Sequence, residues 1–192
     1  MLRKIVTTIV LGTTIAISPR LVADDDAAAA ALAAESTAYC ASTVNKDRPP
    51  IPDTVVAKVN EACALLAKEG PAAFPKFSGK GSPFLYEGSY VAVQALNDGE
   101  ELVHPIQYKM VGKKLMGQKD AKGKRVFIVM ADLVREKGEG WVEYYWPKPG
   151  TQEIVHKISF VKKCTMANGV DVVVISGLSN FSDADVAKLE LH

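Results

Sequence analysis

Trp141-Val142-Glu143-Tyr144-Tyr145-Trp146, then Pro147-Lys148-Pro149-Gly150, Ile154 to Cys164, Ala167-Asn168-Gly169 and Val170 to Ile175 together form the stretch that decides the fold. Three runs rich in β-branched and aromatic residues are parted by two turn signals, since Pro presets φ and Asn-Gly accepts positive φ. Short runs between such turns read as an antiparallel three-stranded meander. Alternation along the first run sets Val142, Tyr144 and Trp146 on one face and Trp141, Glu143 and Tyr145 on the other.

Upstream, Arg125 to Lys137 carries Val126, Val129, Met130, Leu133 and Val134 at helical spacing and stops at Gly138 and Gly140. Tyr90 to Leu96 reads as a strand, Asn97-Asp98-Gly99 as a tight turn, and Glu101 to His104 as the returning strand of a hairpin. His104-Pro105 ends that ladder, because Pro donates no hydrogen bond. Met110 to Gly123 is loop-like, and Gly79-Lys80-Gly81-Ser82 is an ordinary turn lacking the spacing of a phosphate-binding loop. Asp53-Thr54 looks like an N-cap for an amphipathic helix running to Gly70-Pro71 through Val55, Val59, Ala62, Cys63 and Leu66. Before the Pro49-Pro50-Ile51-Pro52 turn, the Ala-rich run from Ala27 to Val44 has high helix propensity. With a last helix expected from Asp183 to Leu191, the order argues an α+β fold with helices covering one face of an antiparallel sheet.

Met1-Leu2-Arg3-Lys4 supplies a positive start, and Ile5 to Ile17 then runs without charge. Those 13 residues fall short of the roughly 20 needed to cross a bilayer, which predicts a cleaved export signal over residues 1–23 rather than a membrane anchor. The expected division is therefore the signal over 1–23, a helix with its Pro-rich turn over 24–52, and one domain over 53–192. The whole chain has 23 basic and 22 acidic residues, and loss of Arg3, Lys4 and Arg20 would leave 20 against 22, a net charge of −2. Such a balance argues against a nucleic-acid partner.

Three cysteines, Cys40, Cys63 and Cys164, entering an oxidising compartment leave one thiol over; either all three are small buried residues or one disulfide forms, with a Cys40–Cys63 pair conceivable. Neither these cysteines nor His104, His156 and His192 have metal-ligand spacing. No nucleophile has a visible base and orienting group, so the chain is expected not to be an enzyme and to need no cofactor.

Taken in order, Tyr90 to Val93, Asp98-Gly99, His104-Pro105, Gly112-Lys113, Asp120 to Gly123, Gly138 to Tyr144, Trp146, Pro149 and Lys157 to Val161 follow one pattern. It resembles the single Cache domain, type 2, over about Val55 to Leu178. The resemblance implies an extracytoplasmic sensor: a PAS-like antiparallel sheet of about five strands with long N-terminal helices packed on it, holding a pocket for a small organic acid or amino acid. Such domains usually lie between two transmembrane helices of a chemoreceptor or kinase, whereas this chain looks like a stand-alone, periplasmic or otherwise exported member that would act on a membrane receptor or kinase. The family's closing strand tends to end in Gly-x-Gly-hydrophobic, of which Ser176-Gly177-Leu178 keeps one Gly.

Within that pattern Tyr90, His104, Tyr144, Trp146 and Lys157 are the candidate ligand-binding residues. An aromatic body excludes water while its polar tip orients a ligand, although plain core packing would also account for Tyr144 and Trp146. Lys157 shares a face with Val155, Ser159 and Val161, so its ammonium must reach solvent, a carboxylate partner or a bound anion. His104 and Tyr90 could serve the ligand or the structure. Two readings follow: a soluble extracytoplasmic binding module for a small organic acid, or a scaffold whose sheet has lost its ligand and which joins partners through its N-terminal helices.

Overall fold

The computed structural model describes residues 19–44, 51–148, 151–179 and 181–192, with side chains from Asp25 onward. Residues 1–18 of the expected signal, Pro49-Pro50 of the Pro-rich turn and Pro149-Gly150 lie outside the described residues. Helix α1 spans Pro19–Ser42 and helix α2 Pro52–Glu69, followed by a 3-10 segment Gly70–Phe77. Strands β1 (Leu85–Tyr86), β2 (Ser89–Ala95) and β3 (Glu101–Val103) precede helix α3 (Val126–Lys137). Strands β4 (Glu139–Pro147), β5 (Ile154–Thr165) and β6 (Asp171–Leu178) form the meander, and a single turn of helix, α4, covers Asp183–Val186.

All six strands join one sheet in the order β1-β2-β6-β5-β4, with β3 also on β2. Every pairing is antiparallel. The α+β class and the antiparallel sheet therefore stand, with the short β1 as an added strand. Two residues beside Gly88 are too few to show a period, which is why β1 escapes the sequence.

Helices lie on both faces of the sheet, not one. On one face α2 sets Val55, Val59, Ala62 and Leu66 against Val93, Phe160, Val172 and Val174. On the other, α3 sets Met130, Ala131 and Val134 against Val142, Val161 and Val173. The signal was the unbroken run Val172-Val173-Val174-Ile175, all buried: a strand wet on one side would alternate with polar residues. Each Val or Leu buried in this way contributes about 1.5–3 kcal/mol.

Three local expectations need correcting. Helix α2 is opened by Pro52, with Ile51 as its cap and no side-chain cap bond, instead of by Asp53-Thr54; Pro suits this position because its missing N–H would be unpaired there anyway. The last helix stops after one turn because residues 190–192 are extended along the outer edge of β4, where Leu191 bridges Trp141 and the Glu143 N–H donates to the His192 carbonyl at 3.2 Å. The disulfide joins Cys63 on α2 to Cys164 on β5, Cα atoms 5.6 Å apart, while Cys40 is a free, buried thiol. Among the described residues no helix is long and apolar enough to cross a membrane.

Candidate functional site

The α3 face of the sheet is not closed by side chains along its whole length. Where β2, β4, β5 and β6 run past the start of α3, a narrow cavity of about 40 Å³ opens between the strands, Phe127, Met130 and Met110. Tyr90, His104, Tyr144, Trp146 and Lys157 all line it. Alternation explains the convergence. Tyr144 and Lys157 are direct cross-strand partners on β4 and β5, and Trp146 lies two residues beyond Tyr144 on the same face. Trp146 is held edge-on by Phe127, ring centres 5.7 Å apart, so its indole forms a wall of the cavity.

Lys157 neither snorkels nor pairs. It is 4 % exposed and makes no hydrogen bond or ion pair among the described residues. Its ammonium lies 5.3 Å from the centre of the Tyr90 ring and 6.0 Å from that of Tyr144. Burial pulls its pKa down from 10.5 to about 8, so at neutral pH it remains mostly a cation.

His104 ends β3, as its following proline requires. Its Nδ1 accepts a hydrogen bond from the Gln107 N–H at 2.9 Å, which puts the ring proton on Nε2 and makes that nitrogen a donor. Burial, reinforced by the charge of Lys157, holds its pKa down at about 3, so the ring is neutral. The Tyr90 ring packs on it with centres 4.9 Å apart. One residue thus both caps the turn after β3 and lines the cavity.

Sequence reasoning missed Glu101, Ser159 and Ser176, which also line the cavity. Ser159 Oγ lies 2.9 Å from the Tyr144 hydroxyl, and Ser176 donates to the Tyr90 carbonyl at 2.7 Å, so the two serines fix the two tyrosines. Glu101 had no periodic signal: a register shift in the β2–β3 ladder pairs it with Gln94 and sets it in the cavity, whereas Val103, two residues on, pairs with Val93 and packs in the core on the α2 side. Burial, partly opposed by the Gln94 amide, pushes its pKa up to about 8, leaving an uncharged acid at neutral pH.

Gly177, near the end of β6, stands opposite Ser159 in the β5–β6 ladder. A Cβ there would collide with Ser159 Oγ and lie 2.8 Å from the Ile158 carbonyl oxygen. Close approach of the backbone, not a turn, is what demands glycine here. At the cavity's edge Cys40 of α1 donates to the Ser89 carbonyl at 3.3 Å, and Ser89 in turn donates to the Gly177 carbonyl at 2.6 Å.

Comparison with known proteins agrees with this architecture. Residues 76–190 match the family model described as single Cache domain 2. A stretch of 61 residues, 32% of the chain, is 38% identical to the methyl-accepting chemotaxis protein McpP of Pseudomonas putida and spans 11% of that receptor's length. A solved Cache chemosensory domain, described for its recognition of carboxylic acids, superposes with a TM-score of 0.58 at 25% identity, covering 67% of this chain and 92% of that one. A methyl-accepting chemotaxis protein from Vibrio parahaemolyticus shares the fold, with a TM-score of 0.52 at 18% identity over 67% of this chain and 85% of that one.

Proposed function

Because the chain belongs to the single Cache domain 2 family, a family of sensor domains, we propose that its cavity binds a small organic acid through the carboxylate. The observation that carries this is Lys157: a cation buried inside the protein with no anion among the described residues to face it. Leaving such a charge unpaired is costly, and a bound carboxylate removes the cost while gaining a charge-assisted hydrogen bond. The His104 Nε2–H and the phenols of Tyr90 and Tyr144 supply further donors, and Trp146 excludes water. The solved relative described for carboxylic acid recognition supports the same ligand class.

The domain works, on this reading, outside the cytoplasm, exported by residues 1–23, and its occupied state is what a membrane receptor or kinase reads. Similarity to sensor segments of chemotaxis proteins supports that role. N-terminal sequencing of the protein recovered from the periplasm of an expressing cell is expected to begin at or near Asp24; an intact Met1 would sink the export proposal.

The binding test is a thermal melt of protein refolded from denaturant, which strips bound metabolites, against a panel of small carboxylates and amino acids. A ligand at a hundred times its Kd adds about 2.7 kcal/mol, or about 5–10 °C for a domain of this size. The shift is expected for carboxylates and is expected to vanish in Lys157→Ala and weaken in Trp146→Ala. A flat panel, or a shift indifferent to Lys157→Ala, would overturn the reading.

A further inference from the structure

We propose that Glu101 is a second ligand-contacting, specificity-determining residue of the cavity, entering it as an uncharged carboxylic acid that donates its proton to an acceptor oxygen of the bound carboxylate ligand. The proposal rests on the carboxylate reading of the site.

Glu101 opens β3 and is 1 % exposed. Its main chain is fixed on both sides: its N–H donates to the Lys113 carbonyl at 3.0 Å and its carbonyl accepts from the Gly112 N–H at 2.8 Å. The residue is thereby kept in the wall of the cavity that Lys157, Tyr90, Tyr144 and His104 also line. No cation pairs with it among the described residues. Among the described residues its one side-chain hydrogen bond is from Gln94 Nε2 to Oε2, at 3.4 Å, and Gln94 Oε1 has no partner there. Its other oxygen, Oε1, has no partner among the described residues.

A carboxyl group buried without a cation holds a proton rather than a charge. The upward shift of its pKa by burial agrees with that geometry. The charged and titratable groups that line the same cavity are Lys157 from β5, Tyr144 from β4, Tyr90 from β2 and His104 just beyond β3. Lys157 is the one cation among these, yet the Glu101 proton is held by burial and opposed by the Gln94 amide, not by Lys157, and an anion bound to Lys157 further disfavours ionisation. The occupied cavity therefore keeps the proton on Glu101. A protonated carboxyl is a donor that needs an acceptor, and Gln94 at 3.4 Å is too far for a strong bond from a hydroxyl. A ligand oxygen satisfies it; a ligand ammonium would set donors against a donor.

Propionate and alanine separate the alternatives, since they share the carboxylate and carbon chain and differ in the amino group. By titration calorimetry at pH 7 the refolded protein is expected to bind propionate at least about tenfold more tightly than alanine. Glu101→Gln, uncharged and of the same shape with a donor retained, is expected to stay within about threefold for propionate, whereas Glu101→Ala loses about tenfold or more. The Gln variant is also expected to lose affinity less steeply above pH 8, because Lys157 alone then titrates. Melting of each free variant confirms that it is folded. Propionate binding unchanged in Glu101→Ala overturns the role of Glu101 alone, as does tighter binding of alanine that Glu101→Gln abolishes, which would make Glu101 the carboxylate partner of an ammonium. If the wild-type protein takes neither probe nor any other carboxylate, the carboxylate reading falls, and the role of Glu101 falls with it.

Discussion

Lys157 carries its charge at a cost to the fold. Its pKa falls from 10.5 to about 8, which amounts to about 3 kcal/mol. Because the folded value lies below the unfolded one, the penalty applies in full below pH 8 and is relieved as pH rises from about 8 toward 10.5, where the folded protein releases its proton first. Lys157→Met is therefore expected to raise the midpoint of the ligand-free protein at pH 7 while abolishing the carboxylate response; melts with and without ligand check both parts. Binding has its own pH dependence. A carboxylate needs the protonated lysine, so apparent affinity is expected to hold below pH 8 and to fall by up to about tenfold per unit above it. Titrations at pH 7, 8 and 9 that give equal Kd values would exclude contact between ligand and Lys157. At this scale the sequence was informative wherever a polar tip stood on an apolar strand, as at Tyr144 and Lys157, because alternation fixes the face. It said less about Glu101 and Ser159. Ser159 matters through the Tyr144 hydroxyl on the neighbouring strand, and Glu101 reaches the cavity through a register shift in the β2–β3 ladder, neither of which leaves a period in the sequence.

Among the elements, α2 and β5 are joined covalently by Cys63 and Cys164 across a sequence separation of 101 residues. Closing so long a loop restricts the unfolded chain, so Cys63→Ser with Cys164→Ser is expected to cost about 2–4 kcal/mol. Denaturant curves with and without reductant would show it; coincident curves would mean the bond adds nothing. The cavity lies on the opposite face of the sheet, so the ligand response should survive the double substitution. Gly177 behaves in the opposite way. Gly177→Ala drives a methyl into Ser159 Oγ and the Ile158 carbonyl, displacing the serine that holds the Tyr144 hydroxyl. It is expected to cost about 1–3 kcal/mol of stability and to weaken ligand binding, and Ser159→Ala in the same chain should recover only part, since the Ile158 carbonyl remains. Strands β2 to β6 and helices α2 and α3 were legible because turn and stop residues bound them, as Gly138 ends α3 at φ 84°. The last helix was not. Asp183 to Leu191 has helical composition, but Leu189 and Leu191 pack into the core and residues 190–192 pair with β4, a tertiary demand that overrides local propensity.

For the molecule as a whole, the sheet separates two halves with different work. The α2 face is a filled core around Leu66, Phe77, Phe84 and Phe160. The α3 face gives up part of its core to the cavity, and α1 reaches that cavity from the side: Cys40 packs with Leu85 and Ile106, against Tyr39 and Tyr90. The hydrogen bonds from Cys40 to Ser89 and from Ser89 to Gly177 make one contiguous route from the ligand's wall to the end of α1. A ligand that tightens Tyr90 and Ser176 must therefore also tighten that end. Hydrogen exchange on the refolded protein, with and without a saturating carboxylate, is expected to slow at the start of α3, around Tyr108 to Met110 and over Tyr39 to Thr43, and to leave α2 unchanged. Slowing confined to the cavity walls would detach α1 from the ligand. Slowing spread evenly over both faces would point to global stabilisation by mass action in place of a local route. The predicted pattern is the one a sensor needs, since a change felt at the pocket has to arrive at an element on the outside of the domain before a partner can read it.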